Sequence, residues 1–218
     1  MNIFILKVIA LLTMFIDHYG AIFQNDIMIY RIIGRIAFPI YCFLLVEGYV
    51  HTSNVKKYAT RLFIFALLSE IPFDLAFYNN VGFEHQNIFF TLFIGLAAIY
   101  FIDNKEQKYN FNKSAVIISA CLLAIILSTD YDAMGIIYIL FLFFTRNNDK
   151  VKRFKTIFIV MFMVNLTSSV LQQFSLLALI PIYFYNGELG PKNKISQILF
   201  YAAYPIHLLI YYFINLTR

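Results

Sequence analysis

The chain reads as all-α, a polytopic transmembrane bundle of about nine helices, and three observations predict it. Apolar residues fill 61% of 218 positions and charged residues 13%, with a mean hydropathy of +0.73. A soluble domain sits nearer about one half and one quarter. Apolar runs of about 17–25 residues, the length that crosses ~30 Å of hydrocarbon, recur from end to end. Among the connections, basic residues fall only in alternate ones, the bias that marks cytoplasmic loops.

The elements follow in order. The first run, near 2–23, lacks a small-residue cleavage site and carries Asp17-His18 near its end, so it reads as a retained span rather than a signal peptide. Spans near 28–50, 58–78, 87–102 and 114–129 come next. Segments near 133–145 and 174–185, on either side of 154–172, are short for a full crossing. They read as re-entrant, or as tilted in a locally thin region. The last span lies near 195–216. No repeat and no Gly/Ser/Pro-rich linker divides the chain, so residues 1–218 read as a single integral membrane domain. Cys42 and Cys121 both fall in apolar runs, where a free thiol behaves as a small hydrophobe. Neither a disulfide nor a metal site is expected from them.

Orientation follows from the basic residues. Connections 51–57, 103–113, 146–153 and 186–194 hold Lys56, Lys57, Lys105, Lys108, Lys113, Arg146, Lys150, Lys152, Arg153, Lys192 and Lys194. The alternate connections, near 24–27, 79–86, 130–132 and 173, hold none and carry Asp26, Glu84, Asp130 and Asp132. An odd number of crossings follows, with the N-terminus inside and the C-terminus outside. The net charge of +5 is then mostly this bias and not a nucleic-acid footprint. The cluster Arg146–Lys155 has the charge to attract anionic headgroups, but topology alone accounts for it.

Ionisable residues inside spans are costly and usually face a protein interior or a watery cavity. Asp17 and His18 come late in an outward helix, and Arg31 and Arg35 come early in an inward one, in the same outer half. The positive-inside bias disfavours arginines there, so an acidic partner or an anionic ligand must hold them. Spaced by four, they share one face and suit bidentate capture of a carboxylate or phosphate. Glu70 and Asp74 share a face of the third span, Gln86-Asn87 and Thr91 open the fourth, and Asp130-Tyr131-Asp132 closes the fifth. Five segments thus deliver polar groups to one level.

The bland alternative is a buried ion network in which Asp17 pairs with Arg31 or Arg35 and holds helices in register. His18 alone is equally readable as a hydrogen-bonded structural histidine; a carboxylate would instead orient it as a base. Neighbours on a helix point about 100° apart, so that carboxylate is open among Asp17, Glu70 and Asp74. Glu47 near the inner end of the second span reads equally as an interface marker. Pro205 is expected to kink the last span and free carbonyls beside His207, giving His207 a lining role. His51 and His85 fall in connections and read as solvated. Two Asn-x-Thr patterns, at Asn165 and Asn215, lie in or at the end of apolar spans and are discarded as glycosylation sites. No His-x-x-x-His or cysteine ligand set occurs, so no metal is expected, and no Gly-x-Ser-x-Gly occurs. A general base with anion-stabilising groups fits what is present.

A family resemblance rests on these same residues. Leu6-Lys7-x-Ile9-Ala10, Met14-x-Ile16-Asp17-His18-x-Gly20 and Arg31-x2-Gly34-Arg35-x-Ala37-Phe38-Pro39-Ile40 resemble the TraX family of membrane acetyltransferases. The likeness continues through Phe43-Leu44-Leu45-Val46-Glu47-Gly48, Arg61, Leu68-Ser69-Glu70-Ile71-Pro72-Phe73-Asp74 and Gln86-Asn87-x3-Thr91-Leu92. Asp130-Tyr131, Gly135 and Tyr201-x2-Tyr204-Pro205-x-His207-Leu208 complete it over nearly the full length. The resemblance implies a multi-pass protein of a prokaryotic cell membrane, of a kind associated with N-terminal acetylation of conjugative pilin. It implies acetyl-CoA as acyl donor and a peptide, glycan or other envelope acceptor. On that basis His18 is expected as general base with Asp17, Arg31 and Arg35 as catalytic partners. Glu70, Asp74, Gln86, Asn87, Asp130 and His207 are expected on the substrate side, and the basic loops are expected to receive the CoA phosphates. Two other classes stay open. One is a proton-coupled transporter, against which no paired broken helices or inverted repeat are evident. The other is a non-catalytic assembly factor of a conjugation or secretion apparatus.

Overall fold

The computed structural model describes residues 1–103, 111–191 and 193–217, and the side chains of 194–196 are not described. The expected basic residues Lys105, Lys108 and Lys192 lie outside the described residues. The elements are α1 (Ile3–Phe23), α2 (Met28–Gly34), α3 (Ala37–His51), α4 (Val55–Tyr78), α5 (Ile88–Asp103), α6 (Lys113–Ile126), α7 (Asp132–Phe144), α8 (Lys150–Asn165), α9 (Leu179–Tyr183) and α10 (Lys194–Leu216). A 3₁₀ segment, Val170–Ala178, precedes α9, and no strand occurs among the described residues. Among the described residues, three stretches are long and apolar enough to cross a membrane: Ile3–Phe23, Met28–His51 taken through its turn, and Gln197–Leu216.

Four helices start where an Asx side chain meets their free amides. Asn2, Asn54, Asn112 and Asp149 accept from the backbone N–H of Ile5, Lys57, Ser114 and Lys152 at 3.0, 2.8, 2.9 and 2.9 Å. Pro39 sits in the first turn of α3, where its missing N–H has no helical partner to lose. Pro72 and Pro205 are carried inside continuous helices.

Three expected spans are drawn differently by the packing. The second is two helices, broken at Arg35-Ile36. The helix expected over 154–172 stops at Asn165, and the expected 174–185 span is the 3₁₀ segment followed by α9. Asn165 is the reason. Buried, it must satisfy its amide, which donates to the Gln172 carbonyl (3.0 Å) and the Ser175 hydroxyl (3.1 Å) while its oxygen accepts from the Tyr138 hydroxyl. These bonds fold 170–178 back against α8 and α7.

Contacts run α4–α10, α10–α1, α1–α3, α3–α5 and α5–α4, which closes a ring of five helices. α7 packs outside α3 and α5, and α6 and α8 flank it. α5 is buried along most of its length, whereas Leu12, Leu67, Leu68, Ile71, Ile126, Ile159 and Ile210 stay exposed on the outer helices. An apolar perimeter of this extent is foreign to soluble surfaces. At one end the N-terminal ammonium donates to the Phe184 carbonyl (2.7 Å), and the Ile3 N–H to that of Glu188 (2.9 Å). At the other end, Gln86 and Thr129 form a lone parallel bridge, with Gln86 N–H on the Ser128 carbonyl (3.0 Å) and Asp130 N–H on that of Gln86 (2.8 Å).

Candidate functional site

Asp17 is the hub of the charged cluster. Arg31 Nη1 donates to Asp17 Oδ2 (2.9 Å) and to the Asp17 carbonyl (3.1 Å). Arg35 Nη2 donates to Oδ1 (3.0 Å) and Oδ2 (3.1 Å), and its Nη1 reaches Gln172 Oε1 at 3.4 Å. Two guanidiniums on one carboxylate leave those three side chains one positive charge in excess, with Asp130 in the same cavity lining. Gly34 permits it, because a Cβ at that position would overlap the Asp17 carboxylate. The spacing Arg31-x2-Gly34-Arg35 therefore encodes two donors and the gap between them. Replacing Gly34 by Ala is expected to push α1 from α2 and cost about 1–3 kcal/mol, read as a lower unfolding midpoint in lipid nanodiscs.

His18 does not meet a carboxylate. Its Nδ1 lies 2.6 Å from His207 Nε2, and the rings are within 10° of parallel. His207 Nδ1 lies 2.8 Å from the Ala203 carbonyl. A carbonyl only accepts, so His207 carries its proton on Nδ1 and presents a bare Nε2 when neutral. That nitrogen takes the Nδ1–H of His18, which leaves His18 Nε2 unprotonated. One hydrogen-bond chain thereby fixes both tautomers. Asp17, Glu70 and Asp74, the carboxylates considered for this task, are all engaged elsewhere, and His207, expected on the substrate side, holds His18.

A cavity of about 240 Å³ opens on this cluster, lined by Asp17, His18, Arg31, Arg35, Tyr78, His85, Asp130 and Tyr131 among apolar neighbours. Asp130 thus sits where the sequence places it. His85, read as solvated, lines the cavity and stacks near Phe73 at 6.1 Å. The Gln86–Thr129 bridge seats His85 and Asp130 together, and Thr91 donates its hydroxyl to the Asp130 carbonyl. Tyr131 takes a left-handed backbone (φ 66°), rare for a bulky residue. It stacks on Phe38 at 3.8 Å and lies 5.9 Å from the Arg35 guanidinium.

Four expected substrate residues do not line this cavity. Glu70 takes the Asn87 amide, which also donates to the Ala66 carbonyl at 2.8 Å. Asp74 accepts the Gly82 N–H at 2.9 Å, and the Gln86 amide reaches the Phe83 carbonyl at 3.0 Å. These four brace the connection between α4 and α5. They hold the wall rather than form its surface. The described residues offer no cluster of three metal-ligating side chains.

A second cavity of about 570 Å³ occupies the other half of the ring, lined by α1, α3, α4, α5 and α10. The two cavities share Met14, Tyr41, Ile88 and Tyr204 as a common wall, and the Tyr41 hydroxyl rests 3.7 Å from the Met14 sulfur.

The TraX protein family model matches residues 3–215. The chain belongs to the TraX family. Among curated proteins, it is 35% identical over 113 residues to a probable fimbrial assembly protein FimC, serogroup H1, of Dichelobacter nodosus, covering 44% of each chain. It is 32% identical over 108 residues to a protein of Rickettsia prowazekii (strain Madrid E) described as uncharacterized, covering 50% of this chain and 40% of that one. The chain thus spans less than half the length of these curated relatives. No solved structure matches this TraX chain.

Lys7, Arg61 and Tyr204 line the second cavity, where the sequence shows them only as motif letters, and Tyr41, which no motif includes, lines it with them. A signal for Lys7 existed: with Met14 and His18 it repeats at seven and eleven residues, one face of a helix.

Proposed function

We propose that this TraX-family chain is a multi-pass membrane acyltransferase, moving an acetyl group from cytoplasmic acetyl-CoA to an amine or hydroxyl acceptor presented from the outer side. The observation that carries the reading is the Ala203–His207–His18 chain, which leaves an unprotonated imidazole nitrogen on a residue lining a cavity. Such a nitrogen is a general base. The N-terminus and the 184–190 connection meet at one end, which supports the even number of segments between them that a chain of nine membrane segments needs.

In this reading the donor enters the larger cavity and its thioester reaches the wall at Met14, Tyr41, Ile88 and Tyr204. The acceptor occupies the smaller cavity. His18 Nε2 takes the acceptor's proton, the freed lone pair attacks the thioester carbonyl, and a tetrahedral oxyanion forms. The net positive Asp17–Arg31–Arg35 clamp stabilises that charge. Collapse breaks the C–S bond, and the thiolate leaves with the proton from His18. The fimbrial assembly name of the Dichelobacter relative supports a pilus subunit as acceptor. The same name favours a second reading, a non-catalytic assembly factor.

The test is acetyl transfer from radiolabelled acetyl-CoA by the purified chain in nanodiscs, with host membrane lysate as acceptor pool. Label reaching a product with wild type, and not with His18→Ala, supports the enzyme. Assembly that survives His18→Ala, with no label moved by wild type, overturns it in favour of the assembly factor.

A further inference from the structure

The larger cavity has a charged feature that the transfer chemistry does not use. Lys7 of α1 and Arg61 of α4 both line it. The Arg61 guanidinium lies 5.4 Å from the ring centroids of both Tyr58 and Tyr201, and its buried Nε has no hydrogen-bond partner. Lys7 Nζ sits 5.6 Å from the Phe200 ring. The ion pairs among the described residues join Asp17, Glu47 and Asp103 to other cations, and none uses Lys7 or Arg61. Glu47, in the same lining, accepts the Tyr185 hydroxyl at 3.1 Å and lies 3.9 Å from His51. Charge on the wall is therefore net positive.

A snorkelling arginine turns its head to water. Arg61 instead packs between two aromatic rings inside the ring of helices, which fixes its fork at some cost in desolvation. Paired cations of this kind, with aromatic support and an unused donor, match phosphate oxygens. His51, Thr52, Asn193 and Gln197 add polar groups to the same lining, which suits a soluble ligand better than a lipid. Lys7 lies eleven residues before His18 on the same face of α1, about 16 Å along the axis.

We propose that Lys7 and Arg61 form a phosphate-binding site in the larger cavity, which anchors the phosphates of a soluble nucleotide thioester while its acyl end reaches the wall beside His18. The proposal rests on the acyl-transfer reading and deepens it. Lys56, Lys57 and Lys152 of the basic connections do not line this cavity.

The test titrates free coenzyme A into the full chain in zwitterionic nanodiscs, with inorganic pyrophosphate as competitor and phosphatidylglycerol as a separate arm. Wild type is expected to bind coenzyme A and to release it to pyrophosphate. K7Q and R61Q are each expected to weaken binding tenfold or more, R61K to retain part of it, and K57Q and K152Q to stay within twofold. Equal binding by wild type, K7Q and R61Q overturns the site. If R61Q does not fold, R61K with unchanged affinity and wild-type binding indifferent to ionic strength overturn it. Phosphatidylglycerol binding that needs Lys7 and Arg61, with no binding of coenzyme A, overturns the nucleotide source and assigns the site to a headgroup. Coenzyme A binding through Lys7 and Arg61 without any acetyl transfer overturns the acyltransferase reading and leaves the site standing. Normal transfer by K7Q and R61Q at low donor concentration does the reverse.

Discussion

His18→Ala is expected to lower acetyl transfer by about 10²–10⁴-fold, the contribution of a positioned general base, while leaving coenzyme A affinity unchanged. The loss falls on kcat because, in the proposed mechanism, His18 acts on the acceptor's proton from the smaller cavity that it lines. His207→Ala is expected to be milder, about 10–100-fold, since the base remains but loses the acceptor that sets its tautomer. His207→Gln, whose amide oxygen still accepts the Nδ1–H of His18, is expected to recover part of the rate. A His207→Gln no better than His207→Ala, both fully folded, counts against the tautomer argument. Single-turnover rates at saturating donor separate these effects from binding.

Asp17→Ala is expected to be the most destabilising single change, up to about 3–5 kcal/mol, because it strands two half-buried cations without the carboxylate they bond to. Arg31 and Arg35 make four hydrogen bonds to Asp17 between 2.9 and 3.1 Å, and three of these go to its carboxylate. The cause is charge and not shape, so Asp17→Asn is expected to fail nearly as badly. Replacing Asp17, Arg31 and Arg35 together by Leu is expected to restore much of the stability, since an apolar triad carries no desolvation penalty, yet to remain inactive. Unfolding midpoints in one lipid composition check the first half and acetyl transfer the second. A stable and active triple variant sinks the clamp's role in the chemistry.

How far the sequence reached depends on the range of the interaction. Helices, their apolar faces and the polar level shared by Asp17, His18, Arg31, Arg35 and Asp130 were legible, because composition and a 3.6-residue period act over a few turns. The pairing of Asp17 with an arginine was legible too, from the sign of the charges; that both arginines close on it depends on the gap at Gly34. The end of α8 at Asn165 was missed because its partners, Tyr138 and Ser175, come from other elements. Glu70, Asp74, Gln86 and Asn87 are the right types at the right level, yet hydrogen bonds to their own connection turn them away from the cavity.

By itself, then, the sequence determined an α-helical, apolar chain of the TraX family with a charged cluster in its first two helices, since each of these is a property of neighbouring residues. Only the tertiary structure decided that His18 leans on His207, 189 positions away, and that Lys7 and Arg61 face one cavity. Both depend on α10 closing the ring between α1 and α4. That closure is set by side-chain volume and burial summed over the whole bundle, which no local pattern carries.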